Sequence, residues 1–465
     1  MLGLVLLTGC ALIGPDYQHP QTELSATFAN ANQAGLSNDA IDTTWWRGFN
    51  DARLNRLVDL AVAGNHDLRI ATAQLREARA LRSETSFDRY PTVTAGASYS
   101  NVLSSTAIPR GPTADRDSEL YEAGFDAFWE LDFFGHVRRA IEARTAEVEA
   151  AQASLRDVLV SLIAEVARNY FELRGNQHQL AVARRNAENQ RQTLELTITR
   201  LEGGRGTALD TARARAQLDS TLATIPPLEA AIQRSIHRLS VLTGSRPETL
   251  VAALERAAPL PDSPRLVTLG RPEELLRRRP DIRVAEHNLA AATARIGVAT
   301  ADLFPRVTFI GSIALEASTF TGLGDSGSDT YSFGPSITWA AFDLGRVRAR
   351  IQAADARAEA NLALYERTVL TALEETENAL VEFGRQQARR GFLRTSAKAS
   401  EQAAGLARLR FEDGVTDFLT VLDAERTVLE AQDRLAQSET ETATALVAVY
   451  KALGGGWEIG EAARK

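Results

Sequence analysis

The chain has 465 residues, a formal net charge of −8, 24% charged and 44% hydrophobic residues. That balance excludes a disordered tail and a bundle of membrane-spanning helices, and its acidity argues against nucleic acid as a partner, which requires a basic face. A single Cys, at position 10, excludes an internal disulfide and a cysteine-based zinc site, and the six His at 19, 66, 136, 178, 237 and 287 contain no pair spaced as metal ligands.

The N-terminus reads as a lipoprotein signal. Leu2 to Leu7 is apolar, and Leu7-Thr8-Gly9-Cys10 places small residues directly before the cysteine. Residues 1–9 are then a signal remnant, Cys10 the lipid attachment point, and 10–51 a lipid-anchored N-terminal segment. Signals open on a basic region, and no Lys or Arg precedes Cys10, so the true start is expected upstream. Ala11, where Asp could stand, suits sorting to an outer membrane. The plain alternative is a buried apolar segment with a chance Cys. No run reaches the roughly 18 apolar residues of a spanning helix, so any crossing of a bilayer must use β-strands.

From about residue 52 the chain repeats itself. Asp67-Leu68-Arg69-Ile70-Ala71 matches Asp281-Ile282-Arg283-Val284-Ala285 at an offset of 214, which Tyr90-Pro91 and Phe304-Pro305 keep. Trp129 and Trp339, Gly135 and Gly345, Arg138 and Arg348, Gly204 and Gly414, Leu209 and Leu419, and Gly244 and Gly454 are 210 apart. The division is repeat 1 at 52–254, a linker or equatorial segment at 255–280, repeat 2 at 281–454 and a tail at 455–465. Each repeat reads as a helix (about 52–87; about 281–301), two strands joined by a polar loop, a very long helix (about 136–202; about 346–411), a Gly-containing turn, and a returning helix (about 208–243; about 417–452).

The strands alternate. Ala123, Phe125, Ala127, Trp129 and Leu131 interleave with Glu122, Gly124, Asp126, Phe128, Glu130 and Asp132, and 92–100, 306–315 and 331–339 do the same. Period two gives one apolar and one wet face, the pattern of a transmembrane β-barrel or of a water-facing sheet packed on helices. In the long helix, Val137, Ile141, Arg144, Val148, Ala151, Leu155, Val158 and Leu162 advance by fours and threes, a heptad seam with one charged exception. At 1.5 Å per residue such a helix is on the order of 100 Å long and must lie against other rods.

Four strands per chain cannot close a barrel, and eight give one filled by side chains. Three chains supply twelve strands, enough for a lumen, and long helices enough for a hollow helical cylinder.

These residues resemble the TolC-type outer-membrane efflux channels, in their lipoprotein (OprM/NodT-like) branch, over nearly the whole chain. The marks are Leu7-Thr8-Gly9-Cys10 with Gly14-Pro15-Asp16-Tyr17, Trp45-Trp46-Arg47-Gly48-Phe49, and Leu276-Arg277-Arg278-Arg279-Pro280-Asp281-Ile282-Arg283 with Ala301 and Phe304-Pro305 downstream. The resemblance implies an α+β membrane protein, with a long-helix α-barrel and a transmembrane β-barrel completed by trimerisation. It further implies a homotrimer in outer-membrane lipid, with a periplasmic adaptor (membrane fusion) protein and an inner-membrane efflux pump, of RND type, as partners.

The resemblance also places the site. The turn Arg410–Arg426 looks like the family's gate segment, so Leu419, Asp423 and Arg426 are its pore-gate residues. Leu419 and Asp423, four apart, share a helix face. The plain readings are a packed leucine and a solvated carboxylate. Asp210 matches a position that locks the closed gate, but its usual tyrosine partner is Phe411 here, which cannot donate a hydrogen bond. Thr416 stands at a further family arginine, leaving closure to helix packing and Leu419. Arg200, Leu201, Gly204, Arg410 and Gly414 are the adaptor-contacting tip, the glycines also serving plain turn chemistry. No GxSxG, P-loop or GxGxxG occurs, so neither an enzyme nor a cofactor is expected. The expected function is a passive efflux duct coupled to a pump. The alternatives are a duct for type I protein secretion and a periplasmic structural coiled coil or adaptor, which would carry one hairpin instead of two.

Overall fold

In the computed structural model the described residues are 12–22, 25–31, 36–37, 39, 42–105, 107, 116–264 and 267–458. Cys10 and the signal segment lie outside them.

The elements in order are β1 (Leu36–Ser37), α1 (Ala52–Gly64), α2 (His66–Phe87), β2 (Thr92–Leu103), β3 (Asp117–Leu131), α3 (His136–Glu202), α4 (Ala208–Leu222), α5 (Ile225–Leu242), α6 (Val251–Leu254), β4 (Val267–Thr268), α7 (Pro272–Arg278), α8 (Pro280–Ala301), β5 (Arg306–Ala317), β6 (Asp329–Thr338), α9 (Leu344–Glu412) and α10 (Phe418–Ala452). Two expected helices are broken. The first stops at Asn65, whose side chain accepts from the Leu68 N–H (3.0 Å) and donates to the Leu242 carbonyl (3.0 Å). The bare Cα of Gly64 there lies against the Thr243 backbone. The return helix of the first half breaks at 223–224, ahead of Pro226-Pro227, because a proline ring clashes with the preceding turn. The second half has no proline there, and α10 runs unbroken. The expected linker holds β4 and α7, and β4 pairs in parallel with β1.

Contacts divide the chain into two units. The first (Met1–Gln21, Gln74–Gln152, Val284–Glu366) holds an antiparallel sheet of order β2-β3-β5-β6. Register aligns the apolar residues: Ala95 opposite Phe125, Phe125 opposite Ile313, Ile313 opposite Tyr331, and Trp129 opposite Phe309. Among the described residues nothing covers this face; Ile313 is 69% and Phe333 73% exposed. The opposite face carries Thr94, Ser98, Glu122, Asp126, Ser312, Glu316 and Ser332, with Val102, Leu120, Phe128 and Ile310 as large apolar exceptions. Aromatic residues bound the apolar face. Tyr99 and Tyr121 pack at 4.7 Å near one end. Near the other, Trp129 donates to the Arg89 carbonyl and Trp339 to that of Leu303, each at 3.0 Å. The eight residue steps from Tyr121 to Trp129 span about 27 Å along the strand, or about 19–22 Å of height at the 35–45° tilt of transmembrane barrels, whose apolar band is about 25 Å tall.

The same unit explains Gly14-Pro15-Asp16-Tyr17. Arg139, 2% exposed, donates to the carbonyls of Ile13 and Gly14 (3.1 Å each) and to Asp16 (2.7 Å). Gly14, at φ 92°, sits where a Cβ would strike the Gly297 backbone.

The second unit (Thr22–Ala73, Ala153–Arg283, Arg367–Lys465) is helical. Its core holds Trp45, Trp46 and Phe49 with Tyr170, Phe171, Leu446 and Tyr450. Trp45 stacks on Tyr450 at 4.9 Å and donates to the Gly455 carbonyl (3.4 Å). The arginine-rich motif ends in Arg279, which binds Asp281 and Glu375 (2.7 Å each) and the Ala452 carbonyl (3.0 Å), fastening the end of α10. Of the heptad seam, Val137, Ile141, Leu155 and Leu162 are buried; Arg144 is half-buried and pairs with Glu147 at 2.9 Å.

Trp45→Ala should cost about 3–5 kcal/mol, the range for emptying a tryptophan site in a core. Denaturant unfolding followed by far-UV circular dichroism checks it, with a lowered midpoint expected.

Candidate functional site

The candidate site lies in the second unit, where the long helices turn back. Both turns have one construction. At the end of α3 the Arg205 N–H donates to the Arg200 carbonyl (2.8 Å) and the Gly204 N–H to that of Leu201 (3.0 Å). At the end of α9 the Val415 N–H donates to the Arg410 carbonyl (2.8 Å) and the Gly414 N–H to that of Phe411 (3.0 Å). These paired bonds form Schellman caps and need a left-handed residue, which Gly204 (φ 70°) and Gly414 (φ 74°) provide. The next helices start on matched caps. Thr207 Oγ1 accepts from the Asp210 N–H, and an Asp417 oxygen accepts from the Thr420 N–H (3.0 Å) and hydroxyl (2.7 Å).

Beneath the turns, Phe411, Phe418, Val421 and Ala214 form a small buried cluster. Phe411 and Phe418 lie 5.6 Å apart. Arg200 reaches over from α3, its guanidinium 4.0 Å above the Phe411 ring, and donates to the carbonyls of Phe411 (2.8 Å) and Glu412 (3.2 Å). It therefore caps the end of α9 and ties the two turns together, a bond the sequence did not reveal. Phe411 faces this cluster, while Asp210 accepts from the Thr207 hydroxyl (2.7 Å) in its own turn. Leu201, Leu209, Leu409, Val415 and the side chain of Arg410 stand exposed around the turns.

Leu419 is 52% exposed and so is no core residue within the chain. With Asp423 and Arg426 of α10 and Ala403 and Ala407 of α9 it lines a concavity of about 890 Å³. Arg426 Nη2 donates to Asp423 at 2.7 Å, so the carboxylate already has a partner three residues on. The opposite side of α10 is buried at Phe418, Val421, Glu425 and Val428. Glu425 is the charged member of that stripe. One of its oxygens accepts from Arg408 Nη2 (2.7 Å) and from Thr193 Oγ1 (2.7 Å). A carboxylate on an apolar stripe was the available signal, and the sequence reading passed over it.

The Asp417 carboxyl is held below the usual carboxylate range, first by the Thr420 hydroxyl and then by the Thr420 N–H. A depressed value gives stabilisation that is present above the ordinary carboxylate pKa and lost as the pH falls through the lower folded one. Hydrogen exchange of amides 418–421, corrected for intrinsic rate, should quicken in the wild type as pH drops through the carboxylate range. In Asp417→Asn, compared at matched pH, that acid dependence should vanish.

Comparison with known proteins bears on this geometry. A model for the family described as outer membrane efflux protein matches residues 57–245 and 272–455. The chain is 33% identical over 473 residues to the solvent efflux pump outer membrane protein SrpC of Pseudomonas putida, covering 99% of this chain and 98% of that one. It is 29% identical to the probable outer membrane lipoprotein SilC of Salmonella typhimurium, over 98% of this chain and 97% of that one. The solved outer-membrane channel OprN superposes with a TM-score of 0.91 at 44% identity, covering 96% of this chain and all of that one.

Proposed function

The chain belongs to the outer membrane efflux protein family, and on that premise we propose that three copies build one duct closed by the Leu419–Asp423 face of α10. The protein is an efflux channel of the outer membrane. The observation that carries the trimer is the four-stranded sheet, apolar on one face, largely polar on the other and, among the described residues, unpaired along β2 and β6. In lipid every backbone group needs a partner, so those edges must meet other chains. Three copies make twelve strands, and the matched features 210 residues apart, in caps, turns and Trp bonds, are those of one unit used twice.

In this reading the apolar face meets lipid, the polar face lines the lumen, and Cys10 holds the N-terminus to the membrane. Transport is passive, with energy from an inner-membrane pump, of RND type, reached through a periplasmic adaptor. The exposed Leu201, Leu209, Val415 and Arg410 suit the adaptor's contact, with Gly204 and Gly414 holding the turns that present them. Arg200 serves inside the tip by joining the turns. Three Leu419 side chains near one axis would form an apolar constriction, and three Asp423 carboxylates, each trimmed by its own Arg426, an acidic ring above it. Asp210 and Phe411 contribute through the turns on which they stand, Phe411 by packing.

Single-channel recording in planar bilayers tests the gate. Leu419→Ala should widen the closed constriction and raise resting conductance, and Asp423→Ala should reduce cation preference and divalent block. If Leu419 instead packs against a neighbouring helix, its truncation should cost about 2–5 kcal/mol of stability with conductance unchanged. Unaltered conductance and selectivity in both variants would place the constriction elsewhere.

A further inference from the structure

The charged member of the α3 seam, Arg144, belongs to a cluster of arginines in the first unit. Arg144 and Arg295 of α8 both bind Glu147 of α3, Arg144 at 2.9 Å. Arg357 of α9 has no ion pair among the described residues. It and Arg144 nevertheless act on Arg295, whose guanidinium is held below the usual arginine range, first by partial burial and then by these two neighbours. Asp355 and Glu359, two residues either side of Arg357, stand about 160° away around the helix. Three guanidiniums from three helices thus share one carboxylate. Like charges so placed repel, and an anion seated among them relieves the repulsion. The planar fork of an arginine also matches the paired oxygens of a carboxylate or phosphate.

Helix geometry fixes the side on which the cluster lies. The N-terminal segment crosses one side of α8. Gly14 lies against the Gly297 backbone, the Tyr17 hydroxyl donates to Glu286 (3.4 Å), and His19 Nδ1 lies 3.0 Å from the same oxygen. Glu286 and Gly297 are eleven residues apart, which puts them about 20° from each other around the axis. Arg295, nine residues from Glu286, is about 180° round. Alone among the described residues of α8, Arg295 is exposed, 55% at its side chain. In the proposed duct the N-terminal segment comes from lipid held at Cys10, and it cannot thread a closed helical wall. It therefore runs outside, and the opposite side of α8 looks into the lumen.

We propose that Arg144, Arg295 and Arg357 form an anion-binding station on the lumen wall of the first unit, which takes the oxygens of a carboxylate, sulfonate or phosphate group carried by a passing solute. The inference rests on the reading of the chain as a trimeric duct with its N-terminal segment outside. The station is opposite in sign to the Asp423 carboxylates, which belong to the second unit.

The test uses the full-length trimer in planar bilayers, in dilute potassium chloride so that screening stays weak, with citrate as the probe. In the wild type, added citrate should lower the single-channel current in a saturable way. Arg357→Gln, which breaks no ion pair among the described residues, should weaken that block about threefold or more. Glu147→Gln removes the one carboxylate, frees both of its arginines, and should tighten the block by a similar factor. Lost packing alone would not move two variants of one cluster in opposite directions. In Arg357→Cys, a membrane-impermeant, negatively charged thiosulfonate should react and change the current, with the wild type treated alongside as control. Absence of citrate block in the wild type, or a block that Arg357→Gln leaves unmoved, overturns the station. So does a thiol at 357 that reacts without changing the current, which would put the cluster outside the lumen. If either result comes while Leu419→Ala and Asp423→Ala still alter conductance and selectivity, the duct and its gate stand and the station alone falls. If the assembled wild type forms no conducting channel at all, the duct reading falls and the station with it.

Discussion

Everything else depends on a sheet that cannot be satisfied alone. Among the described residues its backbone has two open edges, along β2 and β6, and its apolar face of Val93, Phe125, Ile313, Tyr331 and Phe333 has no cover. In water, such edges and such a face invite aggregation. In a bilayer the face is matched to its surroundings, and the edges are satisfied only by closure. The Tyr and Trp positions near the ends of that face suit the two boundaries between lipid and water. The proposed closure by further copies, and the lumen it would enclose, rest on this constraint.

The helical unit solves a different problem. Helices of 67 and 69 residues need defined ends and defined rotation. The ends come from Schellman caps with left-handed glycines, followed by Thr or Asp N-caps. Rotation comes from polar contacts placed among apolar neighbours: Arg279 at the end of α10, Arg200 across the turns, and Arg408 with Glu425 on the side of α10 away from Leu419. Buried pairs of this kind add little net stability compared with apolar packing, but breaking one partner is costly, so they fix geometry. The Leu419–Asp423 face of α10 therefore has a defined direction even though both residues are exposed within the chain.

Much of this was legible in the residues. The alternation of 122–132 set the faces of β3, and the 210-residue offsets of Gly204 with Gly414 and Trp129 with Trp339 became paired caps and paired indole bonds. Local signals suffice where the period is short and the residue is glycine or tryptophan. The helix break at Asn65 was not legible, because it depends on Gly64 meeting Thr243 from a distant segment. Pro226-Pro227 was in plain view and should have divided the return helix. In the sequence Arg139 is one more arginine on a long helix, yet it is buried against the Ile13 and Gly14 carbonyls and the Asp16 carboxylate; nothing local distinguishes it from the exposed arginines around it. Arg279 stood inside a recognisable motif, but its role depends on Glu375 and Ala452, far along the chain.

The account stands on closure of the sheet by other copies of the chain. Cysteines placed singly along β2 and along β6, combined pairwise in one chain and oxidised in native membranes, report which edges meet. Bonds between chains, giving a ladder of two and three copies and nothing larger, are the predicted result. A β2–β6 bond formed only within one chain, leaving a monomer, would contradict it.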